Sequence, residues 1–205
     1  MNMQLPRKNP AETRQRLIDA AFMEIYASGF QGSDINGIIA RAGVTKGALY
    51  HHFDGKADMA NAVIDTMIDG ITTEKWLAPL DDVDDPIDAL IDIVEATLLT
   101  EEAVNGGCPL NNLAQEMSGV NDDIRLRLRR VFQMWIGGVA DALRLGQANG
   151  KVRRDIDARE TATFMIATYE GYISLAKNAR DPSLLAAGVR QVVKYLETLR
   201  PLPKP

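Results

Sequence analysis

The chain has a single cysteine, Cys108, and only two histidines, the adjacent pair His51 and His52. One thiol excludes an internal disulfide framework and a cysteine-cluster metal site. Neighbouring histidines on a helix diverge by about 100°, so this pair cannot chelate. Apolar runs stay well short of the roughly 18 residues a membrane span needs, and the opening MNMQLPRKNPAETR has no apolar signal core. A soluble cytoplasmic protein is expected. The sequence also lacks HExxH, a glycine-rich phosphate loop and a serine nucleophile elbow, which points away from an enzyme and from any metal or cofactor.

What is present supports a packed globular chain: 46% of residues are hydrophobic and 25% charged. The net charge of −5 is unevenly spread, for residues 1–56 carry seven basic against five acidic residues and the remainder 16 against 23. A mildly basic head on an acidic body suits contact with phosphate at one end only.

Apolar residues recur at helical spacing almost throughout, so an all-α chain of about nine helices is expected. Asn9, Pro10 and Glu12 form a start signal for a first helix ending near Gly29. Ser33 is expected to cap a second, with Ile35, Ile38, Ile39 and Ala42 inward and Gly43 as its stop. Thr45 caps a third, from Lys46 to about His52, with Leu49 and Phe53 facing the core; after the Asp54-Gly55 turn, Lys56 opens a fourth reaching roughly Trp76. Further helices are expected at about 86–100, 110–117, 122–149, 158–179 and 182–198. The division is a small domain over 1–55 and a larger one over 56–205.

Two short helices joined by a glycine-containing turn, in SDINGIIARAGVTKGALYHHFDGK, have the form of a helix-turn-helix, whose second helix enters the major groove of DNA. Thr45, Lys46, Gly47 and Ala48 lead that helix, where free N–H groups and small side chains allow close approach. Tyr50, His51 and Lys56 supply further donors for phosphate, and Ser33 is grouped with them. The stretch AGVTKGALYHHFDGK resembles the signature of the TetR family of transcriptional regulators over residues 10–65, while Gly37 and Ile39 depart from its usual pattern. The resemblance implies a homodimer, paired through its last two helices, that binds operator DNA and releases it when an effector enters the C-terminal domain.

The residues support dimerisation independently. TATFMIATYEGYISLAKNA is apolar on nearly all sides, with Ala162, Ala167, Gly171 and Ala176 permitting close approach, so it needs cover from its own core and from a partner. Trp76, Trp135, Met67, Met117, Phe164, Tyr169 and Tyr172 are candidates for an apolar effector pocket, or for ordinary core. Cys108, in GGCPLNNLAQEM, precedes a helix start that would lower a thiol pKa. The segment is similar to a Gly-Cys-Leu-x-x-Asn-Leu element in a TetR-type subgroup that includes regulators responding to electrophiles and oxidants. That comparison places Lys177 opposite the thiol and makes the pair a candidate sensor; the other reading is a small buried cysteine and a solvated lysine. Arg125, Arg127, Arg129 and Arg130 read as a solvated, salt-bridged face. The competing reading of the whole chain is a helical small-molecule binder or interaction adaptor without specific DNA binding.

Overall fold

The computed structural model describes residues 9–96 and 104–201, and every regular element among them is helical. Helix α1 (Pro10–Gly32) starts where expected: the Asn9 side chain accepts the Ala11 amide at 3.1 Å, and Pro10 sits in the first turn, where its missing N–H costs nothing. Gly29 breaks the axis at φ 75°, and a further turn carries the chain to Gly32.

Helix α2 (Ile35–Ala42) is capped by Asp34 rather than Ser33, its carboxylate accepting the Gly37 amide at 3.1 Å. An ionised acceptor satisfies both the free amides and the positive end of the helix better than a hydroxyl. Ser33 closes α1 instead, with its buried hydroxyl donating to the Phe30 carbonyl at 2.8 Å. At Gly37 a Cβ would lie 3.3 Å from the Glu24 carboxylate of α1, a close but adjustable contact. Ile38 and Ala42 are buried and Ile35 and Ile39 half-buried, while Gly43 ends the helix in the left-handed region at φ 63°. Helix α3 (Lys46–His52) is capped by Thr45, whose hydroxyl accepts the Ala48 amide at 3.2 Å. Leu49 and Phe53 complete a small core with Leu17, Ile18 and Ala21 of α1.

Helix α4 (Lys56–Val63) does not stop. It runs unbroken through a π-helical stretch (Ile64–Ile68), α5 (Asp69–Thr72) and a second π stretch (Thr73–Leu77), so one rod links the small core to the larger body. The remaining helices are α6 (Pro86–Ala96), α7 (Pro109–Met117), α8 (Asp122–Asn149), α9 (Ala158–Ala179) and α10 (Pro182–Glu197). The expected end of α6 at residue 100 lies outside the described residues, as do Arg7, Lys8 and the last four positions. With the rod counted once, the described residues hold nine helices.

Helix α9 packs on α8 and α10, α6 covers α8 and α10, and α7 lies between α1 and α8. Three of the four arginines of the α8 row are salt-bridged: Arg125 pairs with Asp122 at 2.9 Å, Arg127 with Asp65, and Arg130 with Asp69 at 2.9 Å. Two of these pairs also tie α8 to the rod. Among the described residues no helix is long and apolar enough to cross a membrane.

Candidate nucleic-acid interface and its link to the helical body

The first turn of α3 is open. Thr45, Lys46 and Gly47 are exposed, Ala48 is half-buried, and a Cβ on Gly47 would meet nothing nearer than the Thr45 hydroxyl at 4.0 Å. Its free amides therefore face outward with little bulk over them. Lys46 Nζ stands 6.0 Å from the centre of the exposed Tyr50 ring, which keeps cation and phenol on one side of the helix. His51 is exposed, and its ring meets that of half-buried His52 edge-on at 5.1 Å. Leu49 on the opposite side is fully buried, so the outward face is fixed by the inward anchor.

Two residues grouped with this surface are bonded to the small domain itself. Ser33 is buried and bonded to Phe30. Lys56 is half-buried, donating to the carbonyls of Ser33 at 3.0 Å and Gln31 at 3.3 Å, with Nζ 4.8 Å from the Phe30 ring centre. A lysine at the start of α4 thus satisfies carbonyls left free at the end of α1. Arg41, exposed in the last turn of α2, is a surface cation that the site reading passed over.

Helix α7 joins the small core to the body at both of its ends. Before it, the Gly107 carbonyl accepts the Tyr26 hydroxyl of α1 at 2.8 Å, and a Cβ on Gly106 would fall 2.1 Å from that oxygen. Near its other end, the two carboxylate oxygens of Glu116 accept the amides of Phe30 and Gln31, each at 2.7 Å. These amides follow the break at Gly29, whose missing Cβ leaves room for Glu116. On the far side, Asn111 donates to the Ser174 hydroxyl at 3.2 Å, and Lys177 donates to Asn112 at 3.1 Å, both across to α9. No local sequence pattern announces Glu116 or Tyr26, because their partners lie more than 80 positions away.

The surroundings of half-buried Cys108 weigh against a reactive thiolate. Cys108 is the N-cap residue of α7, yet burial and then the Glu170 carboxylate hold its thiol well above the ordinary value. The backbone amides of Asn111 and Leu110 pull the other way, but the enclosing apolar surroundings prevail. Lys177 reaches Asn112, and the charged group acting on the thiol is an acid. Glu170 is itself buried in α9 and is pushed up to about 7 by that burial, against the pull of the Cys108 thiol and Asn111 amide beside it. It is the one acid within a strongly apolar run, and that oddity was the available signal.

Of the aromatic candidates, Trp76, Trp135 and Tyr169 come together as a buried trio, with ring centres 4.6 Å apart for the tryptophans and 4.9 Å for Trp76 and Tyr169. Phe164 does not join them; it is 53% exposed on the outer face of α9, against Tyr195 of α10. Tyr172 is used in packing on α10, where a Cβ at Gly188 would lie 2.2 Å from its ring. Met117 is buried at the α1 contact, its sulfur 3.9 Å from the Gln31 amide nitrogen, and Met67 is half-buried against the core.

The chain is similar to known proteins. A family model for "Bacterial regulatory proteins, tetR family" matches residues 17–63, and one for "Tetracyclin repressor-like, C-terminal domain" matches residues 85–192. The HTH-type transcriptional repressor DhaR of Mycobacterium sp. (strain GP1) is 28% identical over 169 residues, covering 82% of this chain and 84% of that protein. Transcriptional regulator AcuR of Cereibacter sphaeroides is 29% identical over 192 residues, covering 90% and 85%. A solved TetR transcriptional regulator from Chloroflexus aurantiacus J-10-FL superposes with a TM-score of 0.84 at 28% identity, over 95% of this chain and 98% of that one. With an open recognition helix at one end and a C-terminal match spanning more than half of its length, the chain belongs to the TetR family of DNA-binding transcriptional regulators.

Proposed function

We propose that the protein is a repressor that grips a palindromic operator as a homodimer and lets go when a small molecule enters its helical body. The observation that carries this reading is the first turn of α3, capped by Thr45, anchored through Leu49 and open over Lys46 and Gly47. Residues 1–55 act as the DNA-binding domain and 56–205 as the effector and dimerisation domain. The repressor DhaR is a relative of matching extent.

A partner copy is the occupant that suits the outer faces of α9 and α10. Phe164 is 53%, Leu175 60% and Leu184 36% exposed, and exposed Ala167 and Gly171 lie between them on α9. Small residues flanked by large apolar ones favour close helix pairing between identical chains. Two recognition helices then sit about 34 Å apart, one turn of DNA, which calls for a two-fold operator.

Release follows from the attachment of α7. Displacing its start, beside Cys108, pulls on Tyr26; displacing its end pulls on Phe30 and Gln31, next to the turn that orients α2 and α3. A bound molecule is the trigger this reading favours, because a raised thiol pKa disfavours the thiolate that fast electrophile sensing requires; release by modification of Cys108 is the alternative.

Selection of bound duplexes from a random pool tests the function. An inverted repeat should be enriched, with affinity falling steeply as salt rises. Recovery of no sequence at low salt, or a strictly monomeric protein in sedimentation, defeats the reading.

A further inference from the structure

Glu170 is 6% exposed, and neither of its carboxylate oxygens has a hydrogen-bond partner among the described residues. The groups nearest it are the Cys108 thiol and the Asn111 amide, both too poorly placed for a proper hydrogen bond, and Asn111 also bonds Ser174. Lys177, the cation one might expect to neutralise it, is engaged by Asn112. A buried carboxylate without a well-placed donor is costly, and it is retained only where something else compensates.

Resting on the reading of this protein as an effector-released repressor, we propose that the effector is a small organic cation with an apolar body, whose ammonium donates to Glu170 between α7 and α9. The site lies at the start of α7, where Asn111 and Asn112 bridge to α9 through side chains. A ligand seated on Glu170 separates these bridges and moves the carbonyl of Gly107 that holds Tyr26. Selection is by charge: an anion of the same shape meets a second negative group in a poorly hydrated site, and a neutral alcohol offers only an uncharged donor.

The probes are benzylamine, benzyl alcohol and benzoate, with binding followed by calorimetry to the wild-type protein and to Glu170→Gln, whose folding is checked by circular dichroism. The wild type should bind benzylammonium at least about tenfold more tightly than benzyl alcohol, and this preference should vanish in the variant. Because the carboxyl must ionise to pair with the ammonium, binding near pH 7 should release protons from the wild type and none from the variant. Equal amine affinity in the two proteins, a preference for benzoate, or no amine binding at millimolar concentration overturns the assignment. Operator binding of both proteins is measured separately. Retained operator binding with indifference to the amine removes only the Glu170 site, whereas loss of operator binding by the wild type removes the repressor reading.

Discussion

Glu116 of α7 holds the backbone amide of Phe30 at 2.7 Å with one carboxylate oxygen, and spends the other on the next amide. A side chain of the larger body thereby caps the turn that leads into the helix-turn-helix. Charge-assisted bonds of this kind are worth roughly 1.5–3 kcal/mol each where water is partly excluded. Glu116→Ala should lower unfolding free energy by about 2 kcal/mol in urea titration, and it should weaken the effect of any releasing molecule on operator affinity. Unchanged stability and unchanged release would show that α7 carries no coupling through this contact.

Lys46 and Lys56 should part company experimentally. Lys46→Ala removes an exposed cation beside Tyr50, so operator affinity should drop and the slope of log affinity against log salt should shrink by about one. Lys56→Ala removes a donor to the Ser33 and Gln31 carbonyls, so it should cost about 1–2 kcal/mol of stability and leave the salt slope unchanged. Reversed behaviour in fluorescence anisotropy would exchange the two assignments.

Cys108 should be a sluggish nucleophile. Burial and the Glu170 carboxylate keep the thiol protonated at neutral pH, and the thiolate is the reactive form. At pH 7.5 iodoacetamide should modify it more slowly than it modifies free glutathione, as followed by intact-protein mass spectrometry. Glu170→Gln should speed the reaction by removing the repelling charge; a wild-type thiol faster than glutathione would favour the sensor instead.

Glu170 should also tilt the pH dependence of folding. Its folded value of about 7 stands above the ordinary 4.5, so between these values the native state binds more protons than the unfolded chain. Stability contributed by the protonated form is complete below pH 4.5 and is lost as pH rises through 7. The loss is on the order of 3 kcal/mol. Unfolding titrations of wild type and Glu170→Gln should therefore diverge between pH 5 and 7.5 and run parallel above; a constant difference across that window would contradict a raised carboxyl.

Much of the helical architecture was legible because its signals are local. Asn9, Thr45 and Gly150 sit at helix ends for reasons contained within a few residues, and the periodicity of Leu17, Ala21 and Ile25 gives a face before any partner is known. The π stretches in the rod were not legible, since one extra residue per turn barely alters an apolar stripe. Ser33 was misplaced because Asp34, one position later, offers the stronger acceptor.

The sequence by itself determined an all-helical chain, a helix-turn-helix led by Thr45 and Lys46, and a nearly wholly apolar penultimate helix, because propensity, caps and periodicity act within a few turns. Only the tertiary structure decided that Lys56 caps α1, that Glu116 and Tyr26 tie α7 to the small core, and that Cys108 faces Glu170 while Lys177 reaches Asn112. Those partners are brought together by packing across tens of residues, and whether a charge is bare or compensated is settled by who arrives beside it.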